Sequence, residues 1–328
     1  MFRSPGFGAG GFLVVWRFRM RVRVTVPATS ANLGSGFDCL AMALDLRNEV
    51  EAALSDRPRV EVAGEGEDVL PRDERNTVYR AAQALAARAG VRDVAFAFRC
   101  LNRIPLDRGL GSSAAARVAG IAAANRLLGS PLPPADLVRL SAELEGHPDN
   151  VVAAWVGGVT VAVRDGEGGV CWQRVLPERF PSVVLCVPEL RVPTGEARAR
   201  LPAQVSLQDA VFNTGRAALL VAALYNGDFG ALAVATQDRL HQPYRELLVP
   251  GFADAVAAAR EAGAWGAALS GAGSSLVAFC PADCAESVGE AMRTALARYG
   301  VHSRWRVSSV DVRGTVVEDA PGGETWDG

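Results

Sequence analysis

Valines 22, 24 and 26 alternate with Arg21, Arg23 and Thr25, the period-two pattern of a strand with one buried face. Segments 48–54 and 60–62 predict two more strands ahead of a polar, glycine-bearing loop, and 94–99 alternates again. Segment 76–89 predicts a helix capped by Asn76. After a glycine loop, Ala114, Val118, Ile121 and Leu128 recur at helical spacing, and 134–145 predicts a helix with proline in its first turn. Gly157 and Gly158 break the chain before a strand over 159–163. The turn-rich run 165–169 is the expected domain boundary. Beyond it the pattern predicts a strand over 183–187 and helices near 194–200, 207–225 and 252–262. Strands over 266–270 and 276–279 flank a second glycine loop, followed by a helix over 283–298 and a last strand near 305–312. Strands and helices mix without strict alternation, which predicts an α+β fold.

Composition narrows the chemistry. The length of 328 residues suits about two domains. A net charge of −2 argues against a general polyanion binder. All 34 Lys+Arg residues are arginines, so a Walker-type loop and Schiff-base chemistry, which both need lysine, are excluded. No run approaches the roughly 18 apolar residues of a membrane span. Six cysteines are scattered, and Cys280 and Cys284 have no matching second pair, so reduced thiols in a cytoplasmic protein are expected. Residues 1–19 carry no signal-peptide pattern and are expected to be a disordered extension or a misassigned start. The domains are then 20–165 and 166–317, with 318–328 a frayed tail.

Four segments carry candidate chemistry. Residues 105–115, Pro-Leu-Asp-Arg-Gly-Leu-Gly-Ser-Ser-Ala-Ala, place two glycines and two hydroxyls ahead of an alanine-rich helix. Freed backbone amides at a helix start bind phosphate, although glycine pairs also make plain strand-to-helix turns. Residues 270–275, Ser-Gly-Ala-Gly-Ser-Ser, form a second loop of the same ambiguity, and neither loop has the Rossmann spacing. Residues 143–150, Glu-Leu-Glu-Gly-His-Pro-Asp-Asn, read either as a site for Mg²⁺ and a polar substrate or as a solvated helix end. His147 has no zinc-type partner spacing. Residues 27–38, Pro-Ala-Thr-Ser-Ala-Asn-Leu-Gly-Ser-Gly-Phe-Asp, read as a polar loop directly after the first strand.

Taken together and in this order, the four segments resemble the motifs of the GHMP kinase superfamily and, within it, the homoserine kinase family, over residues 20–313. Ser35 and Ser274 stand where that family usually has proline. The resemblance implies a ribosomal-S5-domain-2-like N-terminal domain and a ferredoxin-like C-terminal domain. It implies ATP-dependent phosphorylation of the L-homoserine hydroxyl to O-phospho-L-homoserine in threonine biosynthesis, with ATP and Mg²⁺. By the same resemblance, Pro105, Arg108, Gly109, Leu110, Gly111, Ser112, Ser113, Ala114 and Asn76 are expected at the nucleotide, and Ser113 and Glu145 at the metal, with Glu145 preferred to Glu143. Asn32, Asp38, Asp149 and Asn150 are expected to be catalytic. His147, Thr194, Arg198 and Arg245 join Asn32, Asp38 and Asp149 at the substrate. A homodimer is common in the resembling family; no nucleic-acid or membrane partner is expected. The alternatives are another small-alcohol kinase, such as one acting on L-threonine, or a non-catalytic ligand sensor.

Overall fold

The computed structural model describes residues 20–320, so the expectations for 1–19 and 321–328 lie outside the described residues. Strand β1 (Arg21–Asn32) buries Val22, Val24 and Val26 completely, as its alternation predicts. It runs on through the first motif, where a loop was expected. The reversal is confined to Leu33, Gly34 and Ser35, after which β2 (Gly36–Ser55) returns antiparallel. The small residues of the motif pack in the interior, and a register shift between Pro27 and Ala28 absorbs the proline that cannot donate to the ladder.

The first sheet runs β11-β1-β2-β4-β3, with β3 (Arg59–Gly64) parallel to β4 (Ala95–Asn102). Strand β5 (Val159–Arg164) pairs with β2, and β6 (Val170–Val175) pairs with β5. The 165–169 turn expected as a domain boundary therefore closes a hairpin inside the first sheet. The passage to the second sheet comes later, between β6 and β7. β11 (Val316–Ala320) also belongs to the first sheet, so residues 318–320 are paired with β1 and are not part of a frayed tail.

The second sheet has β7 (Ser182–Pro188), β8 (Gly266–Leu269), β9 (Leu276–Cys280) and β10 (Ser303–Ser308) in the order β10-β7-β9-β8, all antiparallel. Two helices, 252–261 and 285–297, cover one face and bury Val184, Cys186, Ala278 and Met292 with it. This is the split β-α-β arrangement of a ferredoxin-like domain, and the α+β class stands. No helix among the described residues is long and apolar enough to cross a membrane.

Four helices pack on the first sheet: α1 (Thr77–Arg88), α2 (Ser112–Leu127), α3 (Pro134–Glu145) and α4 (Asp149–Val156). Asn76 caps α1 by accepting from the Val78 amide, as expected. Helix α2 is apolar on nearly every side and lies in the core, where an all-round hydrophobic helix belongs. A Cβ at Gly120 would stand 2.1 Å from the Val78 carbonyl oxygen, so glycine there sets how closely α1 and α2 approach.

The return of the chain end to the first sheet is pinned by one buried ion pair. Arg47 donates to Asp311 at 2.6 Å, to Thr25 at 3.1 Å and to the Gly314 carbonyl at 2.9 Å. Removing one member strands the other charge, so Asp311→Ala should lower unfolding free energy by about 3–5 kcal/mol. Asp311→Leu combined with Arg47→Met should recover most of that loss. Urea unfolding of the single and double variants checks this; equal losses in both would disprove it.

Candidate functional site

Three loops from distant parts of the chain meet at the start of α2. Gly109 and Gly111 have φ of +70° and +71°, a region open to glycine. A Cβ on Gly109 would lie 2.0 Å from the Ser270 carbonyl oxygen, and one on Gly111 1.9 Å from Thr29 Oγ1. Because both lack a Cβ, the Thr29 amide can donate to the Leu110 carbonyl at 3.1 Å and the Ser275 amide to the Arg108 carbonyl at 3.2 Å. Ser270 Oγ donates to the Gly109 carbonyl at 2.7 Å. Gly111 starts α2 in the left-handed conformation with no side-chain cap, which leaves the amides of the first turn to a ligand.

This junction floors a narrow cavity of about 70 Å³. Arg108, Gly109, Gly111, Ser112 and Ser113 line one side of it. Glu145, His147, Asp149 and Asn150 line a second, and Asn32, Asp38, Thr194, Arg198 and Arg245 close it. The structure thus brings together residues expected at phosphate, metal and substrate from five separate segments. The Arg108 Nε is buried without a hydrogen-bond partner, a donor suited to an anion. Leu110 and Ala114 are core residues of the loop and helix. Pro105 lies instead on a wider cleft of about 660 Å³, whose wall includes Arg191, Arg304 and Trp305 from the second domain. That cleft is larger, but the convergent carboxylates, imidazole and freed amides are in the narrow cavity.

A further cavity of about 180 Å³ adjoins it, lined by Asn76, Val50, Leu70 and Leu106. Ser112, Ser113 and Asp107 belong to the walls of both cavities. The α2 start is therefore a partition between a half-apolar chamber and a strongly polar one.

The polar chamber has an acidic and a basic wall. On the acidic wall Asp149, 1% exposed, accepts through one oxygen from the Asn150 amide at 2.6 Å and pairs with His147 Nδ1 at 2.6 Å. Asn150 in turn accepts from Thr29 Oγ1 at 2.6 Å. Burial opposes protonation of His147, but the Asp149 hydrogen bond and charge, with Glu145 and Asp38, outweigh it and raise the imidazole pKa. Burial raises the Glu145 pKa, with Arg117 and His147 opposing it. Ser113 Oγ lies 3.4 Å from Glu145 Oε2. Glu143, the other candidate, is turned away and paired with Arg88 and Arg139.

On the basic wall Arg198 grips Asp38 through two bonds of 2.8 Å. Arg245 is 2% exposed, and burial with the neighbouring Arg198 pushes its pKa down to about 10. It donates to the Gly271 carbonyl at 3.2 Å and faces His241 Nδ1 at 3.3 Å. His241 Nε2 donates to the Gly34 carbonyl at 2.7 Å, and burial first of all lowers its pKa, so it is a neutral acceptor for Arg245. The Phe37 ring lies 5.7 Å from the Arg198 guanidinium and 5.2 Å from that of Arg245. Asn32 donates to the Gly271 carbonyl at 2.8 Å and accepts from the Asp38 amide at 3.0 Å, so its amide holds loops together.

Sequence reasoning passed over Thr29, Phe37, His241 and Arg117. Arg117 follows Ser113 by four positions on α2, and that spacing, which puts both on one helix face, could have found it. His241 and Phe37 carried no such signal, since only the fold stacks them, with ring centroids 5.2 Å apart.

Comparison with known proteins shows the family and the fold. Residues 76–158 match the GHMP kinases N terminal domain and residues 220–298 the GHMP kinases C terminal family. A homoserine kinase from Moorella thermoacetica is 48% identical over 278 residues, 85% of this chain and 93% of that one. One from Gloeobacter violaceus is 50% identical over 273 residues, covering 82% and 91%. The crystal structure of homoserine kinase from Cytophaga hutchinsonii superposes with a TM-score of 0.81 at 33% identity, covering 91% and 97%. A mevalonate kinase structure at 14% identity, with a TM-score of 0.64, shares the fold.

A raised His147 pKa stabilises the fold fully below the unfolded value of about 6.5 and is lost as pH rises through the higher folded value. The stability gap between the protein and His147→Gln should therefore narrow as pH rises from below about 6.5 through the raised folded value. Urea unfolding across that range tests this, and a constant or widening gap would refute it.

Proposed function

The chain belongs to the homoserine kinases, a family of GHMP kinases, and from that premise we propose that its cleft transfers the γ-phosphoryl group of ATP to the side-chain hydroxyl of L-homoserine. The products are O-phospho-L-homoserine and ADP. One observation carries the reading: Ser112 and Ser113, at the uncapped start of α2, are the common wall of two chambers. A nucleotide base beside Asn76 and Leu70 and an amino acid beside Arg245 would meet across that wall, with the phosphates over the helix start.

The first-turn amides, the helix dipole and the unpartnered Arg108 Nε supply positive potential without a lysine. Ser113 and Glu145 offer a hydroxyl and a carboxylate oxygen on one side of the phosphate path, the hard donors that Mg²⁺ takes. Mg²⁺ held there supplies charge neutralisation for the phosphate oxygens. The zwitterionic end of homoserine suits the Arg198–Asp38 pair, since its carboxylate complements a guanidinium and its ammonium the Asp38 carboxylate. Arg245 keeps its charge at neutral pH and adds a second carboxylate donor. Asp149 already accepts from His147 and Asn150, which suits it to orient the acceptor hydroxyl and the imidazole. Phosphoryl transfer through a loose transition state asks mainly for such positioning.

Homoserine-dependent ADP release is the direct test, with L-threonine as the comparison acceptor. Homoserine should show the higher kcat/KM by about tenfold or more, because its isomer threonine carries a secondary hydroxyl one carbon nearer the amino-acid end, with a methyl group where homoserine has its reacting hydroxyl, and a misplaced nucleophile is penalised. No homoserine-dependent ADP would overturn the reading. Asp149→Asn should lower kcat by about 10²-fold, the usual effect of one lost orienting group, while ATP binding persists in fluorescence titration. Full activity in that variant would remove Asp149 from the site.

A further inference from the structure

Arg117 is bonded to two residues that line the polar chamber, Ser113 and Glu145, and neither the motifs nor the family comparison assigns it a role. It lies one turn beyond Ser113 on α2 and reaches back over the helix start. Its NH1 donates both to Ser113 Oγ and to Glu145 Oε2. Its side chain is 24% exposed and that of Glu145 11%, so this pair is substantially shielded from solvent. The surrounding charges are acidic or switchable: His147 and Asp149 face Glu145 from the α3–α4 turn and the start of α4, and among the described residues no second arginine is bonded to it.

The two oxygens that this guanidinium bridges are the two that would hold the metal. They stand 3.4 Å apart. Two oxygens at 2.0–2.1 Å on adjacent corners of an Mg²⁺ octahedron are about 2.9 Å apart, so the pair is spaced within about half an ångström of that ligand separation. A guanidinium hydrogen-bonded to both oxygens occupies the same space and satisfies the same lone pairs. It cannot remain in that position while a divalent ion takes it.

We propose that Arg117 is a resident cation of the metal position: it holds Ser113 and Glu145 together in the nucleotide-free protein and competes with the divalent ion for them. The inference rests on the reading of Ser113 and Glu145 as metal ligands. A free divalent ion would have to displace the guanidinium with only two protein oxygens as its gain. An ion arriving on ATP brings phosphate ligands as well, so the competition favours loading of metal and nucleotide as one unit. Arg117 in this role is a positioning residue that acts through Ser113 and Glu145.

The test measures metal binding without turnover. Mn²⁺ is titrated into nucleotide-free protein, and free Mn²⁺ is followed by its paramagnetic resonance signal. Arg117→Gln should bind Mn²⁺ about tenfold tighter than the unmodified chain, within the usual range of coupling between competing ligands. Arg117→Lys keeps a cation beside Glu145 and should bind within about threefold of the unmodified chain, too small a change for a lost competitor. Adding Glu145→Gln to Arg117→Gln should abolish the gain and so locate it. Thermal melting confirms that each variant is folded, and Arg117→Met replaces Arg117→Gln if that one is not. Unchanged Mn²⁺ affinity in a folded Arg117→Gln, or a gain that survives Glu145→Gln, overturns the inference. Glu145→Gln alone separates this from the underlying reading. If it raises the Mg²⁺ requirement of ADP release, the metal reading stands whatever Arg117 does; if it leaves that requirement unchanged, the metal reading falls and takes the inference with it.

Discussion

The contact between Gly109 and the Ser270 carbonyl is the constraint on which the site depends. Any side chain at 109 would occupy space already held by backbone, with a Cβ only 2.0 Å from that oxygen. The close approach lets the loop of the second domain lie on the α2 loop, and the same loop reaches β1 through the bond from the Gly271 amide to the Ala31 carbonyl at 3.0 Å. Three segments far apart in sequence are thereby fixed by main-chain bonds, whose geometry does not depend on side-chain rotamers. Such rigid support is what a site that works by positioning requires.

Around that junction, charge is arranged in opposing pairs. Arg198 with Asp38 and Arg117 with Glu145 each set a cation against a carboxylate of the cavity wall, and His147 stands against Asp149. Arg245 is held differently, by carbonyls, a neutral imidazole and an aromatic face. Its burial without a direct carboxylate partner costs free energy that a ligand carboxylate would offset. The fold thus keeps a buried cation with no direct carboxylate partner where the substrate's negative end is expected.

Much of this was legible in the sequence, because the informative residues were of the kind that physics ties to one use. Alternating valines gave β1, Asn76 gave a helix start, and Pro134 marked the first turn of α3. The clustered polar residues of the four motifs converged on one cavity. What escaped lacked a local signature. Strand β6 is an edge strand with four exposed residues in a row, so no alternation marked it, and the turn before it looked like a linker. The first motif read as a loop because its residues are small and polar, yet burial by α2 and α4 keeps them extended. Arg117 was hidden among 34 arginines, with its four-residue spacing from Ser113 as the one sequence signal, and gains its second partner where α3 ends beside it.

The pairing of Val316–Ala320 with β1 has a consequence for how the molecule is made. On one side β1 has a neighbour that is synthesised only after all of β2 to β10. The first sheet cannot close while the second is still being made, so β1 keeps one edge unsatisfied until the ferredoxin-like half has followed it. Closure of the first sheet is thus tied to synthesis of residues 316–320, and a nascent chain stalled before residue 316 would present an open β-edge to chaperones.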